Sequence, residues 1–193
     1  MPAVARPRSD EARRAALEAT LDLLAANGVD GVTFEEVAAR SGVAKSTLYR
    51  HFGTKQAMLV EAANSCFVEQ STPDTGDLLE DLREIVRKGS DTEDKHRVPD
   101  VLPPLLASED PELRRCLVAM LEERHRPVRT VLQLAQLRGE IDRDLDLDTA
   151  VALIIGPFVQ RKMLERGEVT PEFRTTVIET AVAGLRATAR QPV

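Results

Sequence analysis

Tryptophan is absent from the sequence, and the aromatic complement is five phenylalanines and a single tyrosine. Sustained alternation of apolar and polar residues is missing too, and no Asn-Gly or Asp-Gly sits between alternating runs, so the usual signals of strands and hairpins are gone. Asp30-Gly31 connects two helical patterns instead. Long apolar runs are lacking. The stretch from Val151 to Val159 falls far short of the ~20 residues a spanning helix needs, and Gly156-Pro157 interrupts it. No membrane partner is expected. The first residues, MPAVARPRSD, offer arginines with no apolar segment behind them, which predicts no secretory signal and a cytoplasmic protein.

Cysteine is sparse. Cys66 and Cys116 fall in apolar helical patterns with no CxxC or Cys/His ligand spacing, so buried free thiols are expected rather than a disulfide or a metal site. The three histidines, His51, His96 and His125, are scattered, and neither cysteine adjoins one, so no nucleophile–base pair is visible. GxSxG and HExxH are absent, and Gly53-Thr54-Lys55 lacks the glycine five positions earlier that a phosphate loop requires. These absences argue against an enzyme, and no cofactor is expected.

What is present is an ordinary globular balance, 42% hydrophobic and 30% charged, which excludes a wholly disordered chain of 193 residues. The net charge of −6 argues at first against a nucleic-acid partner. Charge is unevenly distributed, however. Through position 55 eight Lys/Arg stand against seven Asp/Glu, and beyond it 18 stand against 25. A weakly basic head on an acidic body suits selective rather than indiscriminate DNA binding.

The periodicities predict an all-α chain. A first helix runs from a Ser9 cap to about Asn27, ended by Gly28. A second starts at Thr33, where Glu36 three residues on completes a capping box, and extends to about Arg40. After Ser41-Gly42-Val43 a short third helix covers about Ala44 to Tyr49, Gly53 stops it, and Thr54 caps a fourth that ends before Pro73. Further helices are expected over Asp77 to Lys88, Val101 to Ala107, Pro111 to Arg138, Asp148 to Arg166 and Pro171 to Arg190. The polar stretch GSDTEDKHRVPD reads as a surface loop, and Pro127 is expected to bend or break its helix.

Residues 33 to 53, TFEEVAARSGVAKSTLYRHFG, have the form helix, three-residue turn with glycine, helix. Phe34, Val37, Ala38, Val43, Leu48 and Phe52 can clamp the two helices at a steep angle. The second is then left with Lys45, Ser46, Thr47, Tyr49 and Arg50 outward, donors with one aromatic and no carboxylate, on a helix short enough for a groove ~12 Å wide. Thr33, Ser46 and Thr54-Lys55 lie near helix starts, which favour anions. Other readings stay open: Tyr49 as a packing residue, His51 as an anchor for the next helix, Arg50 as an idle surface charge.

The stretch GVTFEEVAARSGVAKSTLYRHFGTKQAMLVEA closely resembles the DNA-binding domain of TetR/AcrR-family regulators over about residues 9 to 60. Beyond it, RGEIDRDLD and a helix containing IIGPF resemble the family more loosely. The resemblance implies a three-helix helix-turn-helix domain over residues 1–55, joined to a helical ligand-binding and dimerisation domain over 56–193, about nine helices in all. By position it implies base-edge or adjoining phosphate contacts from Lys45, Ser46, Thr47 and Arg50, and backbone phosphate contacts from Thr33, Tyr49, His51 and Lys55. Arg6 and Arg8 fall in an N-terminal arm that touches the duplex in some members.

One short recognition helix contacts few base pairs, so such readers bind as dimers with heads ~34 Å apart or a multiple of it. The last two helices carry more apolar surface than one monomer face needs, and the resemblance points to a four-helix interface between two copies; Leu153, Phe158, Val177, Ile178 and Leu185 are the expected contacts. The resemblance further implies a pocket for a small-molecule effector, with Phe67, Leu102, Leu106, Met120, Leu121 and Phe158 as lining and an apolar or amphipathic ligand. Arg124, Arg126 and Arg129 around His125 offer an anionic-ligand alternative. The function implied is a ligand-responsive repressor that binds a palindromic double-stranded operator as a homodimer. The rival outside this class is a helical interaction protein that has lost DNA binding, which would show decay of the outward face of the third helix. Lys45, Thr47, Tyr49 and Arg50 show none.

Overall fold

The computed structural model of the chain describes residues 6–67, 71–90 and 97–188. Among them are nine α-helices and no strand: α1 (Arg6–Asn27), α2 (Phe34–Ser41), α3 (Lys45–Phe52), α4 (Lys55–Ser65), α5 (Leu78–Ser90), α6 (Val98–Leu106), α7 (Pro111–Arg138), α8 (Leu147–Val159) and α9 (Pro171–Thr188). The all-α expectation holds. Contacts divide the chain into two compact units: residues 1–67 with 96–120, and residues 68–95 with 121–193. The first unit therefore reaches past position 55 to take in α4, α6 and the start of α7.

In the first unit α1 is the hub, packing against α2, α3, α4 and α6. Its Ala16, Leu21 and Leu24 are buried together with Val37 of α2, Leu48 of α3 and Met58, Leu59 and Ala62 of α4. Ala16 and Ala19 of α1 and Ala62 and Ala63 of α4 are buried in the unit where these two helices pack. Thr20, buried in α1, is satisfied by donating to the Ala16 carbonyl at 2.8 Å. Charged side chains tie the hub at its rim: Asp22 accepts from Arg40 of α2 and pairs with Arg97 at the start of α6, and Glu61 of α4 accepts from Arg13 at 2.7 Å.

The second unit has one apolar core, built from Leu78, Leu82 and Ile85 of α5, Val128, Val131 and Leu132 of α7, Ala150, Val151 and Ile154 of α8, and Ile178, Val182 and Leu185 of α9. Ile178 and Leu185 are thus corrected. They were expected at a dimer surface but are 1% and 3% exposed in a single chain, where they cover α5. A period read from α9 alone cannot say whether the partner for its apolar stripe is the same chain or another. A charged substitution at Ile178 reports on folding rather than association.

Helix boundaries shift modestly from the expectation. α1 starts at Arg6, three residues before the Ser9 cap, so Arg6 and Arg8 belong to its first turn rather than to a preceding arm. α6 begins at Val98, within the stretch read as a loop; residues 91–96 of that stretch, with His96, lie outside the described residues. α7 passes Pro127 without a break. The helix expected to reach Arg166 ends as α at Val159 and continues as a π-helical turn, Gln160–Leu164, after Pro157. There Arg161 lies over the Phe173 ring at 4.6 Å, and Phe158 meets the same ring edge-on at 5.8 Å. Cys66 is buried, as expected, but Cys116 is only half-buried.

Glu140 ties three parts of the second unit. It accepts from Arg138 at 2.6 Å, Arg186 of α9 at 2.7 Å and the Leu78 N–H that opens α5 at 3.2 Å. Burial pushes its pKa up, but the hydrogen bonds from Arg186, Arg138 and Leu78 and the Arg138 charge together outweigh that and hold it below the usual value. A carboxylate so depressed contributes fully above its unfolded pKa of about 4.3 and loses that contribution as pH falls through the lower folded value. Glu140→Gln is expected to cost about 1–3 kcal/mol at pH 7 in denaturant titrations, a gap that closes in acid. A gap unchanged between pH 7 and pH 3 would remove this role.

Candidate nucleic-acid interface

The turn between α2 and α3 is built by local chemistry. Thr33 caps α2, its hydroxyl accepting from the Glu36 N–H at 3.1 Å. At the other end Ser41 donates to the Val37 carbonyl at 2.6 Å and accepts from the Val43 N–H at 3.2 Å. Gly42 stands at φ +71, a left-handed conformation that costs a side-chain-bearing residue but not glycine, and its N–H closes the helix on the Ala38 carbonyl. α3 follows with Ala44 at its cap. Ala44 supplies no side-chain acceptor, so the positive end of α3 is left without one. Gly53, also at positive φ, stops α3, and Thr54 caps α4 by accepting from the Ala57 N–H at 3.1 Å.

Leu48 is fully buried and Phe52 nearly so, and they fix the rotation of α3. The opposite side carries Lys45, Ser46, Tyr49 and Arg50 exposed, with Thr47 half-buried beside them. Thr33, His51 and Lys55 are half-buried at the ends of α2, α3 and α4. All eight residues singled out in the sequence therefore lie on or next to the helix-turn-helix. Two have other duties as well. Thr33 spends its acceptor on the cap. His51 brings Nε2 to 3.5 Å from the Ser9 hydroxyl, a marginal hydrogen bond toward α1.

The face contains more than sequence reading supplied. Glu35 of α2 forms an ion pair with Lys45, whose ammonium also lies 5.8 Å from the centre of the Tyr49 ring. Tyr49 stacks on Phe34 at 4.1 Å while staying 47% exposed, so packing and exposure are combined in one ring. The outward surface thus does include a carboxylate. Glu35 and Lys45 are ten positions apart and joined across a turn, a spacing that no helical pattern announces. Gln56 of α4 was also missed; its amide donates to Asp110 at 2.7 Å while the other Asp110 oxygen caps α7 through the Glu112 N–H at 2.8 Å.

Two sequence profiles cover almost the whole of this architecture. Residues 16–69 match that of bacterial regulatory proteins of the TetR family, and residues 72–181 that of the tetracycline repressor-like C-terminal domain. The chain belongs to the TetR family of DNA-binding transcriptional regulators. An uncharacterised helix-turn-helix regulator of Bacillus subtilis, YdeS, is 26% identical over 95% of this chain and 94% of its own. Among solved structures, the TetR-family regulator SCO0332 superposes with a TM-score of 0.61 at 27% identity, covering 90% of this chain and 98% of its own. FadR of B. subtilis in complex with stearoyl-CoA superposes at 0.67 with 19% identity, covering 89% and 98%. Among the described residues of this TetR-family chain no helix is long and apolar enough to cross a membrane.

The remaining expected sites are distributed as follows. Leu102 and Met120 are buried, Phe67 is half-buried and Leu106 is 50% exposed, all in the first unit; Leu121 and Phe158, half-buried, belong to the second. Leu153 of α8 is 50% exposed, and Val177 of α9 is half-buried. Of the arginines near His125, Arg126 pairs with Glu123 and Arg129 with Asp148, so two of the three are committed to carboxylates. Burial pushes the His125 pKa down, helped by the charges of Arg124 and Arg129.

Thr33→Ala is expected to lower stability by about 1 kcal/mol with no DNA present, whereas Thr33→Ser keeps the cap and most of that stability. Equal unfolding midpoints for Thr33→Ala and the parent would show that the cap is dispensable.

Proposed function

We propose that this regulator is a ligand-responsive repressor that binds a palindromic operator as a homodimer, with α3 of each copy in the major groove. DNA reading is assigned to α1–α3 through position 55, and dimerisation and ligand response to the chain beyond it. The observation that carries the reading is the outward row Lys45, Ser46, Tyr49 and Arg50, set on a helix anchored by Leu48 and Phe52. Lys45, Ser46, Thr47 and Arg50 reach base edges or adjoining phosphates, and Thr33, Tyr49, His51 and Lys55 hold the backbone on either side. Thr33 can still donate its hydroxyl proton to a phosphate while it accepts from Glu36.

The homodimer reading keeps Leu153, Phe158 and Val177 of the expected contacts and gives up the buried Ile178 and Leu185. On α8, Ala152, Leu153, Gly156 and Val159 are exposed on neighbouring turns. On α9, Thr176, Thr180, Ala183 and Gly184 are also exposed, and neither Gly156 nor Gly184 has an atom near where a Cβ would stand. Two such faces allow helices of two copies to approach closely around Leu153 and Val159, with Phe158 and Val177 at the margin.

The effector is a small apolar or amphipathic molecule. Support comes from FadR, a protein of this fold solved with stearoyl-CoA. Release requires that the effector bind the DNA-competent and DNA-free conformations unequally.

The testing experiment is a gel-shift titration against the DNA upstream of the protein's own gene, then genome-wide selection of binding sites, each with excess nonspecific competitor. A discrete competitor-resistant complex is expected. The Lys45→Ala, Arg50→Ala double variant should bind the operator at least ~30-fold more weakly while remaining dimeric; unchanged affinity would remove α3 as the reading helix. Leu153→Glu should sediment as a folded monomer, and persistence of dimers would place the interface elsewhere.

A further inference from the structure

The reading face of a DNA-binding protein approaches a polyanion, and a carboxylate there opposes binding unless it has work to do. This chain already carries a net charge of −6, so an additional acid at this place is not needed to limit indiscriminate attraction in general. Glu35 is nevertheless on that face, 61% exposed, in the first turn of α2 next to Phe34. Its partner is the first residue of α3. The hydrogen bond from Lys45 and the position at the helix start keep the carboxylate ionised, its pKa below the ordinary range, and the same bond raises that of Lys45.

The geometry around the lysine is more specific than a chance surface pair. Lys45 is held on one side by Glu35 and on the other by the Tyr49 ring, and Tyr49 is itself backed by Phe34, the residue before Glu35. Glu35, Lys45, Tyr49 and Phe34 thus close a ring of contacts that spans the turn. Within it the ammonium has a preferred direction, and its charge is neutralised locally. Arg50 and Ser46, next to it on α3, have no such carboxylate partner among the described residues.

We infer that Glu35 is a specificity-determining residue of the DNA-reading surface: it holds Lys45 across the α2–α3 turn and keeps that charge from pairing with any phosphate offered. The inference rests on the reading of α3 as the recognition helix. On non-cognate DNA the paired Lys45, neutralised locally by Glu35, releases no counterion, so the pair adds nothing to affinity. On the operator, a base-edge acceptor standing where the pair directs the ammonium takes one of its remaining N–H donors while Glu35 keeps another. Removing the carboxylate therefore helps wrong sequences more than right ones.

Glu35→Gln tests this in the full-length protein, with affinity measured from low to high salt on a selected operator duplex and on a scrambled duplex of equal length. Circular dichroism confirms that the exposed substitution leaves the fold intact. The variant is expected to bind the scrambled duplex three- to tenfold more tightly, to change operator affinity less than threefold, and to steepen the salt dependence on scrambled DNA by about 0.9 per protomer. In a Lys45→Met background the same substitution should leave the slope unaltered, because no ammonium is freed. An operator-to-scrambled ratio equal to that of the parent overturns the inference. So does a steeper slope that persists without Lys45, since Glu35 would then act by simple repulsion. Failure of the parent protein to bind any duplex overturns the regulator surface itself and this inference with it.

Discussion

The burial of Leu48 is the constraint on which the outward face of α3 depends. With Leu48 without solvent exposure and Phe52 one turn on at 6%, α3 cannot rotate about its axis without exposing one of them, at a cost of about 1.5–3 kcal/mol for a side chain of this size. The helix is eight residues long and could not hold itself in water, so that burial also keeps it helical. Which side chains face outward follows from it. Lys45, Ser46, Tyr49 and Arg50 are displayed because the inward positions are occupied by residues that have nowhere else to go.

The charged residues then divide into those that brace and those that remain available. Asp22 is shared by Arg40 and Arg97, Glu61 takes Arg13, and Asp110 takes Gln56 as well as the α7 start. Each of these pairs is partly exposed and individually weak. Their value lies in fixing directions: Asp22 orients α2 and the start of α6 from one turn of α1. In the second unit the brace is more buried. Asp81 is inaccessible and accepts twice from Thr75 at 2.8 Å, with Arg138 3.8 Å from its other oxygen, while Glu140 gathers Arg138 and Arg186. A network of that kind is held by partners on three chain segments, and its loss leaves buried charge uncompensated.

Much of the first unit could be read from sequence because its signals are local. The Thr33 and Thr54 caps, the glycine turn at Gly42 and the stop at Gly53 are each decided within four or five residues, and those are the places where expectation and structure agree closely. The second unit was legible as helices but not as a packing. Ile178 and Leu185 have the spacing of an interface stripe and the burial of a core, and the choice depends on α5, a hundred residues away. Pro127 shows the reverse problem: a local rule predicted a bend or a break, and the helix is not broken, with flanking Val128, Val131 and Leu132 buried to hold it. The Glu35–Lys45 pair was illegible for a third reason, since the turn that joins its partners resets the periodicity on which helical pairing is judged.

These differences bear on how an acidic chain can serve as a DNA reader. Affinity for DNA in general grows with the number of phosphates neutralised, so a reader gains selectivity when few of its cations are free to do that. Of the basic residues in α1 to α3, Arg13, Arg40 and Lys45 are each matched to a carboxylate of the same unit. What remains on the outward side of α3 is one arginine with the neutral donors Ser46, Thr47 and Tyr49, groups that gain from a hydrogen bond made at the right place and little from proximity to charge. Net charge alone would have placed this protein far from nucleic acid. The distribution of its ion pairs explains why it need not be.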